Sequence, residues 1–256
     1  MNFVVSLGSA KERRVHIGEE FGKNKIDFEF FNAITPEDLE IYEDRQGIKT
    51  NKKLLGLGER ACLHSHVEIW MKALELGVPF ISVFEDDIYL GKDASNFLQT
   101  YDWIAPNCDI IKLEMFSRNV SMSLTSKRIS CDRKLKVLKA KHLGTAGYIL
   151  SLKGAESLLN YVRSHEVSTP IDRVMFEEYL ANGSYPIYQM VPALVIQSKI
   201  YGDNIFESEL EVERDAKKAL SNPPKKIKLN LTLKILREIK RIKNLILKKI
   251  GAIDFK

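Results

Sequence analysis

Before Pro223 the apolar residues come in two arrangements: short unbroken runs, and longer stretches where they return every third or fourth position. An unbroken run fits a strand buried on both faces, whereas the longer recurrence fits a helix with one apolar side. On this basis strands are predicted over 3–7, 27–31, 79–84, 109–113, 146–151 and 187–196, the last interrupted by Pro192. Helices are predicted over 9–23, opening on a Ser9 cap, and over 36–43, 58–76, 94–101, 153–164 and 171–180. In the longest of these, Cys62, His66, Ile69, Trp70 and Ala73 share a stripe, and Gly77 stands where a left-handed cap closes a helix. The stretch 117–138 is polar and hairpin-like. Strands alternating with helices imply an α/β fold on a mostly parallel sheet.

The pattern changes at Pro223-Pro224. Beyond it Leu231, Ile235, Ile239, Ile242, Ile246 and Ile250 follow at steps of 4, 4, 3, 4 and 4, one apolar stripe with most Lys and Arg away from it. Residues 222–256 hold eleven Lys or Arg against Glu238 and Asp254, a net +9; the whole chain is +5, so residues 1–221 carry −4. Two units are therefore expected: a domain over 1–221 and a basic amphipathic C-terminal helix within 222–256. Such a helix suits an anionic membrane surface, contacted through 225–250, or else packs on the domain or on a second copy. A basic stripe is also the footprint of nucleic-acid binding. No aromatic interleaving or reading motif accompanies it here, so no nucleic-acid partner is expected.

Composition narrows the compartment. With 256 residues, 45% of them apolar and 29% charged, the chain can bury one substantial core. Cys62, Cys108 and Cys131 lack the spacing of a disulfide framework or a zinc site, fit a reducing cytosol, and are read as buried small apolar residues. The first residues lack the basic start and long apolar run of a signal peptide. No stretch approaches the roughly 18 apolar residues of a membrane span. The expected location is cytoplasmic, peripheral on the cytoplasmic face of the inner membrane.

The most informative chemistry follows the strand at 79–84, which runs into Glu85-Asp86-Asp87. Adjacent carboxylates repel one another unless a cation or a solvated loop relieves them, and the carboxyl ends of strands in open α/β sheets are where ligands bind. Carboxylate oxygens suit Mn²⁺ or Mg²⁺, held by one or two carboxylates and completed by diphosphate oxygens. There the cation would neutralise a departing nucleotide diphosphate. The simpler alternative is a polar loop entry.

With that cluster in place the chain resembles glycosyltransferase family 25, which includes lipooligosaccharide galactosyltransferases. The matching pieces, in order, are the first strand with Arg13-Arg14, Phe31-Asn-Ala-Ile34, and Leu57-Gly-Glu59-Arg-Ala-Cys62-Leu-His-Ser65-His66 with Trp70. Then come Phe84-Glu85-Asp86-Asp87, Asp109-Ile-Ile-Lys-Leu113, Gly144-Thr145-Ala-Gly-Tyr148-Ile-Leu-Ser151, Lys153-Gly-Ala155, Pro170-Ile-Asp172, and 188–197. The resemblance implies a GT-A-like nucleotide-sugar-binding sheet, a UDP-sugar donor, most often UDP-galactose, a divalent metal, inversion, and a lipid-linked oligosaccharide acceptor. Arg60-Ala61 and His64 depart from the family pattern, at what is expected to be the pocket rim.

Roles follow from chemistry. Inversion by one displacement needs a base for the acceptor hydroxyl. Asp172, after Pro170, is the first candidate, although Asp there also suits a helix N-cap; Glu114, at the end of the strand 109–113, is the second. Asp87 and Glu85, the outer acids, fall on one side if strand alternation persists, and are the expected metal ligands. The expected donor-binding positions are Leu7, Arg13, Arg14, Ser65, His66, Asp86, Gly144 and Thr145. Each has a plainer alternative: Arg13 and Arg14 on a solvated helix face, His66 as a hydrogen-bonded core residue, Gly144-Thr145 as a turn. Trp70 is read as core. A metal-dependent nucleotidyl- or phosphotransferase, a UDP-glucose-dependent enzyme and a silent membrane-surface glycan-binding module are the competing functions.

Overall fold

The apolar runs become strands that alternate between two cores. In the first strand Phe3 enters one core and Val4 the other; Val83 and Phe84, Ile110 and Ile111, and Leu150 and Ile149 divide the same way. Successive side chains in a strand point to opposite faces, so a sheet covered on both sides needs apolar residues at every position. The structure, a computed structural model, describes residues 1–202 and 252–256; the predicted helix at 225–250 lies outside the described residues.

In chain order the first elements are β1 (Asn2–Ser6), α1 (Lys11–Lys23), β2 (Glu29–Asn32), a 3-10 turn (Pro36–Asp38), α2 (Leu39–Gln46) and α3 (Leu57–Leu76). Next come β3 (Phe80–Glu85), β4 (Ile88–Leu90), α4 (Ser95–Leu98), β5 (Ile110–Lys112), β6 (Lys127–Arg128) and β7 (Lys134–Val137). The last are β8 (Gly147–Ser151), α5 (Leu152–Arg163), α6 (Ile171–Arg173), a π-helical stretch (Val174–Tyr179), α7 (Leu180–Asn182), β9 (Ile187–Val191), β10 (Val195–Gln197) and α8 (Ser198–Tyr201).

Eight strands form one sheet in the order β2-β1-β3-β8-β5-β9-β7-β6. Only β8, between β3 and β5, and β7, beside β9, run against the other six, so the expected mostly parallel frame is present. Helices α3 and α5 cover one face, burying Trp70, Ala155 and Leu158 with Tyr148, and α1 and α4 cover the other, burying Phe21 and Phe97. Helix α3 starts where the Glu59 carboxylate accepts the Gly56 N–H at 3.1 Å and ends on Gly77 at φ 63°.

Several elements differ from their predicted form. Ala10, not Ser9, occupies the N-cap of α1, with no side-chain cap. The predicted helix 171–180 is a single α-turn followed by the π-helical stretch. The strand predicted over 187–196 divides at the cis Val191–Pro192 bond: β9 stays in the large sheet, while β10 pairs antiparallel with β4 in a two-stranded sheet. Strand β4 was not predicted, because only two residues separate it from β3. Of the cysteines only Cys108 is buried; Cys62 and Cys131 are partly exposed.

Arg60 and His64 do not lie at a pocket rim. Arg60 is 7% exposed, and its Nε donates to Glu43 at 2.8 Å and Thr50 at 3.1 Å. His64 is fully buried, with Nδ1 2.6 Å from Gln46 Oε1. Together they tie α3 to α2, and burial holds the His64 pKa down at about 4. Residues 252–256, grouped by the sequence with the appendage, instead pack on the domain: Ile253 is fully buried in the same core as Trp70.

Candidate active site

The acidic run straddles the end of β3, and alternation separates its three members. Asp86 turns toward α1, accepting from Ser6 Oγ at 2.7 Å and from Arg13 Nη1 at 2.7 Å. Glu85 and Asp87 face the opposite way and share Gln197 from the end of β10: its Nε2 is 3.0 Å from Glu85 Oε2 and 3.4 Å from each Asp87 oxygen. The Ser198 N–H donates to the Asp87 carbonyl at 2.8 Å, fixing the turn from the other side. Thr145 Oγ1 donates to Glu85 Oε1 at 2.7 Å. Splitting the β9–β10 segment is therefore what delivers Gln197 to the acids.

Glu114, just after β5, lies beneath this pair and is fully buried. Its Oε2 accepts from Lys112 Nζ at 2.8 Å and from the Ala146 N–H at 3.1 Å, while Oε1 has no partner among the described residues. Lys112 is equally buried, donates also to the Gly144 carbonyl, and sits 4.2 Å from the Phe176 ring centroid. Gly144 adopts φ 87°, and a Cβ there would meet Glu114 Oε1 at 2.4 Å, so both the backbone and the space require glycine. The Gly144 N–H points at Asp172 Oδ2 at 3.4 Å. Asp172 is partly exposed, within α6 rather than at its N-cap, which is Pro170.

Negative charge at this spot is under-compensated. Burial first, then Asp87 and Glu114, push the Glu85 carboxyl up to about 8; burial likewise raises Asp87, against the pull of Arg13. Burial raises Glu114 too, despite Lys112. Two hard carboxylates that share one Gln197 amide, with no Lys or Arg bonded to either among the described residues, fit a divalent ion whose other ligands are diphosphate oxygens and water. Among the described residues no three His, Cys, Asp or Glu side chains form a metal cage.

The expected donor-binding residues divide sharply. Gly144 and Thr145 reach the acids, and Arg13 reaches them through Asp86. Arg14 is committed to the strand ends, donating through Nε to the Leu7 carbonyl at 3.0 Å and through Nη2 to the Ser6 carbonyl at 3.0 Å and to Asn32, with its guanidinium over Phe30. Leu7 contributes its carbonyl to that anchor. Ser65 Oγ is fully buried and satisfied by the Ile34 N–H and the Ala61 carbonyl, both at 2.8 Å. His66 is fully buried as well. Trp70 Nε1 donates to the Tyr148 oxygen at 3.0 Å, and Tyr148 lies 2.7 Å from His66 Nδ1, leaving Nε2 buried without a partner among the described residues. Burial holds its pKa down at about 4, so the ring is neutral. Ser65 and His66 thus organise the core behind the site and do not line it. Sequence reasoning assigned no role to Gln197 or Lys112. Both stood inside matched segments, but only the turn of β10 and the burial of β5 reveal their targets.

Comparison with known proteins adds an independent line. Residues 1–175 match the model described as "Glycosyltransferase family 25 (LPS biosynthesis protein)". The lacto-N-neotetraose biosynthesis glycosyltransferase LgtB of Neisseria meningitidis serogroup B is 38% identical over 210 residues, covering 78% of this chain and 76% of that protein. LgtE from the same organism is 35% identical over 229 residues, covering 84% and 81%. The lipooligosaccharide biosynthesis protein lex-1 of Haemophilus influenzae is 30% identical over 266 residues, covering 90% and 87%. Among solved structures, a glycosyltransferase involved in glycosylation of the major capsid of PBCV-1 aligns at 10% identity with a TM-score of 0.42, covering 86% of this chain and 98% of that one.

Proposed function

The chain belongs to glycosyltransferase family 25, and from that premise we propose that it moves a hexose, galactose from UDP-galactose as first choice, onto a lipooligosaccharide or lipopolysaccharide glycan with inversion. One observation carries the reading: Glu85 and Asp87 stand side by side at the carboxyl end of β3, share the Gln197 Nε2, and are so placed that burial and neighbouring carboxylates disfavour their charged forms, the strain a bound cation would relieve. Relatives named for lacto-N-neotetraose and lipooligosaccharide biosynthesis support a cell-surface glycan as acceptor.

Glu85 and Asp87 would hold Mn²⁺ or Mg²⁺. When bound, the ion supplies Lewis-acid neutralisation of the departing diphosphate. The chain's own residues do the rest. Gln197 and Thr145 fix the carboxylate rotamers of the outer acids, and Arg13 holds Asp86 to the α1 side, away from them. Asp172 takes the acceptor hydroxyl proton as the new bond to the anomeric carbon forms and the bond to the diphosphate breaks. Glu114 is the weaker candidate base, because its carboxylate is sealed beneath Gly144 and paired with Lys112; its place is to support Gly144 and Ala146. A cytoplasmic site on the inner membrane, reached through 225–250, fits a lipid-linked acceptor.

The product tests the reading. With UDP-galactose or UDP-glucose, Mn²⁺ and a deacylated lipooligosaccharide, the anomeric coupling in the NMR spectrum is expected to show a β-linkage from the α-configured donor, with galactose the better donor. Asp172→Asn is expected to lower kcat by about 10²- to 10⁴-fold with KM little changed. A retained α-linkage, or full activity in Asp172→Asn, contradicts the assigned mechanism.

A further inference from the structure

The last residues of the chain clamp the turn that carries Gln197. The Ala193 N–H donates to the Asp254 carbonyl at 2.7 Å, and the Ala193 carbonyl accepts from the Lys256 N–H at 3.3 Å, so 254–256 lies beside this turn through a single parallel bridge. On the other side the Ile253 N–H donates to the Arg118 carbonyl at 2.7 Å, and its side chain is fully buried. Arg133, 2% exposed, ties the pieces together. Its Nη1 donates to the Pro192 and Ala193 carbonyls at 2.8 and 3.1 Å, and its Nη2 to the carbonyls of Lys92, at 2.8 Å, and Lys256. Phe255 meets the Tyr201 ring edge-on at 5.9 Å, and Tyr201 packs on Tyr89 of β4 at 4.9 Å.

We propose that residues 252–256 form a positioning strap for the active site: by holding Ala193 they set β10, and so hold Gln197 between Glu85 and Asp87. The inference rests on the reading of those two acids as the cation site. Gln197 lies four residues beyond Ala193 on a three-residue strand that pairs with the equally short β4 on one side and, through the Glu114–Val195 bridge, meets 113–115 on the other. At Ala193, just before both pairings, the backbone N–H and carbonyl bond instead to Asp254 and Lys256, so the strap, with Arg133, fixes the point from which β10 sets out. Gly91 is shaped for the strap: a Cβ there would lie 2.2 Å from the Lys256 carbonyl oxygen. The exposed Arg118–Asp254 ion pair, by contrast, contributes little.

Three forms of the full-length chain test this: deletion of 252–256, Gly91→Ala, and Arg118→Ala as a control. The strap predicts that amide hydrogen exchange over 194–201 quickens about tenfold or more in the first two and not in the third. It also predicts that their kcat falls about tenfold to a hundredfold while KM for the nucleotide sugar moves less than about threefold, as for a misplaced site. Adding the peptide Ala-Ile-Asp-Phe-Lys to the deleted form is expected to restore part of kcat. Unchanged exchange in both variants overturns the proposal, as does faster exchange with kcat intact; Gly91→Ala decides the matter should the deleted form not fold. A wild type that turns over no donor would instead sink the reading of the acids, while the exchange result still judges the strap.

Discussion

At the scale of single residues the site is a problem of charge. Burial, with Asp87 and Glu114 alongside, pushes the Glu85 carboxyl up to about 8 from an ordinary 4.5, so across that window the native state binds more protons than the unfolded one. The sign follows: this group's contribution to stability falls as pH rises from 4.5 toward 8. A divalent ion competes with that proton. The rise in Tm on adding Mn²⁺ is therefore expected to be larger at pH 8 than at pH 6, and to shrink in Glu85→Gln. An equal rise at both pH values would separate the ion from Glu85. The outer pairing of Glu85 and Asp87 was legible from strand alternation alone. The burial of Ser65 and His66 was not, since a helical stripe gives the direction of a side chain but not what covers it.

At the scale of elements, glycines mark where backbones touch. A Cβ at Gly154 would meet the Asp109 carbonyl at 2.2 Å, so α5 rests directly on the start of β5, the strand that leads to Lys112 and Glu114. Gly154→Ala is expected to destabilise the protein by about 1–3 kcal/mol, read as a lower urea midpoint with an unchanged slope. A neutral result would mean that α5 can shift without cost. The central strands β1, β3 and β8 were readable because they are apolar at nearly every position, as a sheet with two covered faces demands, whereas β6 and β7 at the edge are lysine-rich and read only as a polar hairpin-like stretch. The short elements were not readable. Strand β4 has three residues and β10 three, too few to show a period, and they are recognised only by their pairing. The same shortness hid Gln197, whose position depends on the turn after Pro192 rather than on any local pattern.

At the scale of the whole molecule, charge and fold are divided. Residues 1–221 carry −4 and include the Glu85-Asp86-Asp87 run, whereas 222–256 carries +9. Among the described residues no helix is long and apolar enough to cross a membrane. The basic stripe at 225–250 is expected to draw the full-length protein onto vesicles containing anionic lipid, and raised salt to release it. Equal binding to zwitterionic vesicles would contradict that role. The basic stripe lies outside the described residues, but the end that the sequence grouped with it does not: Ile253 is buried in the core and Phe255 packs against it. The central claim, that Glu85 and Asp87 support cation-dependent transfer from a UDP-hexose, is tested most directly by UDP release from UDP-galactose and UDP-glucose. The assay compares wild type and Asp87→Ala, each with and without Mn²⁺, in the presence of deacylated lipooligosaccharide. The account predicts release that requires Mn²⁺ and is lost in Asp87→Ala; release that ignores both the ion and the substitution would contradict it.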